Sequence, residues 1–181
     1  FELLYFSGIT LSLYKEAALK DLLKFLTGYR RQGGLVAFDS NYRPQRWPDR
    51  QRAETIYQEY YQQVDLALPT LEDDGALFNL STPEALLEKL INLGVSEVVI
   101  KQGQKGCLVI ADPGMVEAPL TVPAVKVDKV VDTTGAGDSF NGGYLSARIK
   151  GESILEAARK GHRFASQVVQ NRGAVVPIDL G

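Results

Sequence analysis

The stretch Asp132-Thr133-Thr134-Gly135-Ala136-Gly137-Asp138 sets two carboxylates, two hydroxyls and three small residues side by side. It leads from an apolar segment into the helical spacing of Phe140, Tyr144 and Ala147, so it reads as a strand-to-helix turn. Small residues let the backbone approach a ligand, and successive N–H groups at a helix start cradle an anion. Asp138 falls in the first helical turn, where the dipole favours an ionised carboxylate. Such a group is badly placed to hold phosphate. It is well placed to take the proton from a hydroxyl that attacks one. The competing reading is a helix-start turn whose glycines serve packing only. Asp132, the threonines and Asp138 together weigh against it. A P-loop sequence is absent, and a dinucleotide fingerprint fails because its third glycine is replaced by Phe140.

The elements that must position this turn alternate short apolar runs with helical periodicity, which argues for βαβ units and a mainly parallel sheet. Residues 3–6 read as a buried strand. Residues 12–30 read as a helix with Ala18, Leu22, Phe25 and Tyr29 on one face, stopped by Gly33-Gly34. Residues 35–38 form the second strand, with Asp39 at its C-terminal end. A helix follows Pro48 with Ile56 and Tyr60 on one side, and residues 64–68 form a third strand closed by Pro69-Thr70. Ser81-Thr82-Pro83-Glu84 starts a helix that buries Leu86, Leu87, Leu90 and Ile91. Residues 97–101 and 106–111 are strands around a Gly-rich turn, and two or three more strands cover residues 115–131. Helices over 138–150 and 153–170 complete a chain read as one domain.

In open α/β sheets the ligand crevice lies beyond the C-terminal strand ends. Residues 39–43, 69–74, 101–106 and 132–138 occupy such ends. Arg50 and Arg52 fit a solvated helix face, whereas Arg43 directly follows a strand end. Composition bounds the chemistry further. The 181 residues are 45% hydrophobic and 23% charged with net charge −2, which is no profile for a strongly basic nucleic-acid binder. One cysteine, Cys107, and one histidine, His162, leave no disulfide framework, Cys-rich zinc site or multi-His metal site. Cys107 reads as inert core and His162 as a packing or adenine-pocket residue rather than a catalyst. No run approaches the length of a membrane span, so the expectation is a cytoplasmic protein. The chain opens at Phe1, and its single methionine is Met115, which suits a processed or truncated chain.

The run DTTGAGDSFNGGYLSA resembles the C-terminal signature of the ribokinase-like (PfkB) carbohydrate kinases. The segment FDSNYRPQRW is similar to its counterpart in the 2-keto-3-deoxygluconate kinases of that family, and FSGITLS and GHRFAS fit the same group. The resemblance implies a Rossmann-like α/β fold, here without its N-terminal lid, as the C-terminal part of a longer kinase. It implies transfer of the ATP γ-phosphoryl group to 2-keto-3-deoxygluconate, giving the 6-phosphate. Carried over, the amides of Gly135, Ala136 and Gly137 stabilise the moving phosphoryl group and Asp138 is the catalytic base. Arg43 would contact the acid sugar or phosphate, because a guanidinium can hold either by two parallel hydrogen bonds. Asn41, Lys101, Gly103 and Gly106 would border the nucleotide.

Many relatives carry N-x-x-E after the third strand, associated with Mg²⁺. Here Thr70 replaces the asparagine and Asp73 stands in for the glutamate, reaching Mg²⁺ through water. The other reading of Glu72-Asp73-Asp74 is an acid-rich helix start. Residues 171–174 match a loop near the nucleotide and a monovalent-cation site that would take an ion such as K⁺. The implied partner is a small acid sugar, without nucleic acid or membrane, and the full-length protein would be a homo-oligomer through the missing lid. Alternatives are a fructokinase or another PfkB sugar kinase, and a non-catalytic nucleotide- or sugar-binding module. The isolated chain is expected to be weakly active at best.

Overall fold

In the computed structural model, residues 2–112 and 118–179 are described. They fall into two compact units. The first holds the chain up to Ile100 with Ala111 and Asp112, and the second holds Lys101–Ile110 and the residues from Ala118 on.

In the first unit β1 (Leu3–Ser7), β2 (Leu35–Asp39), β3 (Leu66–Ala67) and β4 (Glu97–Lys101) pair in parallel and in chain order. Parallel neighbours need crossover connections. These are α1 (Gly8–Leu13) with α2 (Glu16–Arg31), then α3 (Arg50–Tyr61), then α4 (Leu71–Phe78) with α5 (Pro83–Asn92). The strand interiors are apolar runs because a sheet covered on both faces has no polar side. Phe38 lies at the centre, with ring centroids 4.8 Å from Phe6, 5.2 Å from Tyr61 and 5.7 Å from Tyr57. Asp65, just before β3, accepts from the Arg30 guanidinium and from the Val36 amide, tying the end of α2 to β2.

Three expectations are corrected here. The helix expected over 12–30 is two helices. The Ser12 hydroxyl donates back to the Ile9 carbonyl at 2.7 Å, a local bond that competes with helix propagation, and Tyr14 is extended. The buried face of α2 is Leu19 and Leu26, not Ala18, Leu22, Phe25 and Tyr29. A second aliphatic stripe one position along wins the core, and Phe25 stays 53% exposed against Tyr29. Third, the ladder of β3 is only Leu66–Ala67, although Asp65 and Leu68 still donate to β2 carbonyls.

In the second unit β5 (Cys107–Ala111) pairs antiparallel with β6 (Leu120–Val122). Among the described residues β6 is the only strand where several were expected over 115–131. Pro123, which has no N–H to donate, stops it. The portion of that expectation at 115–117 lies outside the described residues. Two helices follow, α6 (Ala136–Ile149) and α7 (Ile154–Val168). Ser153 caps α7 by accepting from the Glu156 amide, an S-x-x-E start. The helices cross at glycines: a Cβ on Gly143 would lie 3.0 Å from Gly161 Cα, and one on Gly161 would meet the Phe140 ring at 2.9 Å.

Candidate active site

In the second unit the turn over 132–138 has a built geometry. Gly135 is the residue before α6 and sits at φ +77°, a left-handed conformation that glycine adopts without penalty. A side chain there is excluded twice over, since a Cβ would come within 2.7 Å of the Ala174 methyl and 2.9 Å of its Cα. Ala136 and Gly137 form the first helical positions and Asp138 lies exposed in the first turn. The Ala136 amide donates to the Thr133 carbonyl at 3.2 Å, closing the turn, while first-turn amides without a partner inside the helix are open to an approaching anion.

Asp132 fixes the turn. One carboxylate oxygen accepts from the Thr134 amide at 2.9 Å and the Thr134 hydroxyl at 2.7 Å. The other accepts from the Gly173 amide at 2.9 Å, bringing the 171–174 loop against Gly135. These hydrogen bonds, those of Thr134 first, lower the Asp132 carboxyl to about 2. The aspartate that sequence reading took as a flank therefore joins two distant loops.

Lys101, at the end of β4, is 8% exposed and donates from Nζ to Asn141 Oδ1 at 3.0 Å. The same ammonium lies 3.9 Å from where a Cβ on Gly137 would sit. The structure thus brings Lys101 to the first turns of α6. Gly103 opens a short 3₁₀ turn at φ +58°, and Gly106 closes it at φ +101°. The need for glycine at 106 comes from β6, because a Cβ there would overlap the Val122 carbonyl.

The first unit gathers the remaining candidates. Asn41 follows β2 at φ +35°, and its Oδ1 is buried without a hydrogen-bond partner. Arg43 Nη1 reaches both oxygens of Asp73 at 3.0 Å and also the Tyr42 carbonyl. Thr70 caps α4 by accepting from the Asp73 amide at 3.0 Å, so the helix-start reading of this acidic stretch holds alongside the pairing with Arg43. Arg50 and Arg52 lie on α3 as expected, but each has a partner. Arg50 donates to the Leu77 carbonyl and Arg52 pairs with Glu16 on α2.

Asp74 was not singled out by sequence. It is fully buried, and it accepts from the Ser40 hydroxyl on one oxygen and from the Tyr61 hydroxyl at 2.7 Å on the other. Loss of water raises its carboxyl to about 7, against the opposing pull of those hydrogen bonds. Tyr57 donates to the Ser40 carbonyl at 2.8 Å, and Gly8 leaves room for that contact. The polar knot therefore holds the end of β2, just before Asn41 and Arg43, to α3 and α4. Only the position of Asp74, on the inner side of a capped amphipathic helix, hinted at it.

His162 is buried in α7 with its ring 4.9 Å from Phe140, in T-shaped contact, which bears out a packing role. Burial lowers its ionisation below the ordinary histidine range. Cys107 is fully buried and its thiol is pushed up to about 12 by burial, so it is inert as expected. Among the described residues no three His, Cys, Asp or Glu side chains are grouped to hold a metal directly. No helix among them is long and apolar enough to cross a membrane.

Residues 1–180 match the family model described as the pfkB family carbohydrate kinase, and the chain belongs to that family. It is 44% identical over 180 residues to the 2-dehydro-3-deoxygluconokinase of Escherichia coli K12, covering 98% of this chain and 57% of the relative. The enzyme of the same name from Dickeya dadantii is 42% identical, with 99% and 57% covered. The chain thus spans little more than half the length of these curated relatives. The solved structure of aminoimidazole riboside kinase from Salmonella enterica, complexed with aminoimidazole riboside and an ATP analog, superposes with a TM-score of 0.82. It is 28% identical, with 95% of this chain and 57% of that one covered. The fold is therefore the ribokinase-like α/β fold.

Proposed function

We propose that the chain carries the nucleotide side and the catalytic base of an ATP-dependent kinase that phosphorylates 2-dehydro-3-deoxygluconate at its terminal hydroxyl. The observation that carries this reading is the Gly135-Ala136-Gly137 start of α6, held open by Asp132 with Asp138 in its first turn. The names of these curated relatives support the choice of sugar.

In the reaction Asp138 takes the proton of the attacking sugar hydroxyl, and the hydroxyl oxygen bonds to the γ-phosphorus. The bond from that phosphorus to the bridging oxygen of ADP breaks, and ADP leaves with the electron pair. Amides of Gly135, Ala136 and Gly137 meet the charge that develops on the phosphoryl oxygens. Lys101 adds a fixed positive charge, while Gly103 and Gly106 border the nucleotide. Arg43 is suited to an anionic group of the substrate, with Asp73 orienting its guanidinium.

Magnesium, when bound, neutralises phosphate charge and is held mainly by phosphate and water, with few protein carboxylates. Asp73, partly exposed and already paired with Arg43, fits a contact through that water shell. A monovalent cation such as K⁺ would lie by the 171–174 loop. We place the protein in the cytoplasm, as an oligomer of its full-length form.

The test uses a protein that carries this sequence within the full length of its relatives. Asp138→Asn keeps ATP binding and lowers turnover by about 10²–10⁴-fold. Near-normal turnover removes Asp138 from the mechanism. Faster ADP release with fructose than with 2-dehydro-3-deoxygluconate would move the assignment to a fructokinase, and ATP binding with no sugar-dependent ADP release to a binding module.

A further inference from the structure

The geometry points to Asn141 as a positioning residue of the phosphoryl-transfer site, acting through Lys101. This rests on the kinase reading above and adds a residue that no motif assigned.

Asn141 is 2% exposed and sits one turn beyond Asp138 on α6. Its side-chain oxygen receives the Lys101 ammonium at 3.0 Å, at the point where that ammonium lies beside Gly137. A flexible four-carbon side chain loses much rotamer freedom when held in one place. The amide oxygen supplies the anchor without neutralising the charge, which a carboxylate at 141 would do. The ammonium and the positive end of α6 face the same place, so an incoming γ-phosphate meets both fields there. Asn141 thus keeps Lys101 aimed at the cradle before ATP arrives.

The test is calorimetric titration of ATP and of ADP, each with magnesium, into wild type, Asn141→Ala, Lys101→Met and the double variant. Asn141→Ala is expected to weaken ATP about tenfold and ADP much less, since only ATP presents the γ-phosphate. In the Lys101→Met background Asn141→Ala adds no further loss. Equal losses for the two nucleotides, or additive losses in the double variant, overturn the inference. Should Asn141→Ala fail to fold, Asn141→Asp keeps the shape and the bond to Lys101 while cancelling its charge. It is expected to hold the thermal midpoint and still lose preference for ATP, and an unchanged preference refutes the proposal. Wild type that binds no ATP removes the kinase reading and this inference with it. Wild type that binds ATP beside indifferent variants removes this inference alone.

Discussion

Replacing Asp74 by asparagine isolates the titration of one buried carboxyl. The folded chain holds the Asp74 proton up to about pH 7, whereas the unfolded chain releases it near the ordinary value of 3.8. The folded value is raised, so the stability it contributes is fully present below the unfolded value. That contribution is lost as the pH rises through the folded one. Each unit between the two is worth about 1.4 kcal/mol, so wild type should lose about 2.5 kcal/mol from this group between about pH 5 and pH 8. An amide at 74 mimics the protonated acid: its carbonyl accepts from Tyr61 and its NH₂ donates to Ser40. The variant should therefore match wild type only below about pH 3.8, already exceed it near pH 5, and exceed it by about 2.5 kcal/mol more near pH 8. Urea denaturation across that range, compared as the difference between the two proteins, cancels every other titrating group. Parallel pH profiles would refute the reasoning and would mean that Asp74 is ionised inside the fold.

Two glycine substitutions follow from the same close contacts. Gly135→Ala should cost about 1–2 kcal/mol for the left-handed backbone alone, and more from displacing Ala174. It should also weaken ATP binding, and a denaturation midpoint at the wild-type value would contradict it. Gly8→Ala would drive a methyl into the Ser40 carbonyl and the Tyr57 hydroxyl, with a cost of about 3 kcal/mol or more. A melting curve within a degree or two of wild type would show that the end of β2 yields more easily than its packing suggests.

The elements closest to the chemistry were the easiest to read. The 132–138 turn announced itself because glycines, a first-turn acid and a helical apolar stripe all demand the same backbone. The Thr82-Pro83 start of α5 and the burial of Phe140, Tyr144 and Ala147 were legible for the same reason. The face of α2 was misread because two apolar stripes one residue apart satisfy helical spacing, and only tertiary packing chooses between them. Among the described residues a single strand stands near 120 in place of several: Val125, Val130 and Val131 remain exposed, and the Val131 amide donates to the Val169 carbonyl just after α7 rather than to a strand. The knot of Ser40, Tyr61 and Asp74, and the bond from Lys101 to Asn141, link residues tens of positions apart. No local pattern encodes such pairs, since each residue taken alone looks like an ordinary turn, cap or helix position.

The Asp132 bond to Gly173 joins residues 41 positions apart in the chain. That separation has a consequence for the order in which the protein becomes competent during synthesis. Strands and crossover helices of the first unit can pair as they emerge, because their contacts lie close behind in sequence. The 132–138 turn cannot. Until the residues around 173 and 174 leave the ribosome, Asp132 lacks one of its donors and Gly135 has nothing packed against it. The turn over 132–138 therefore takes its final shape only after the first unit, α6 and α7 have been synthesised.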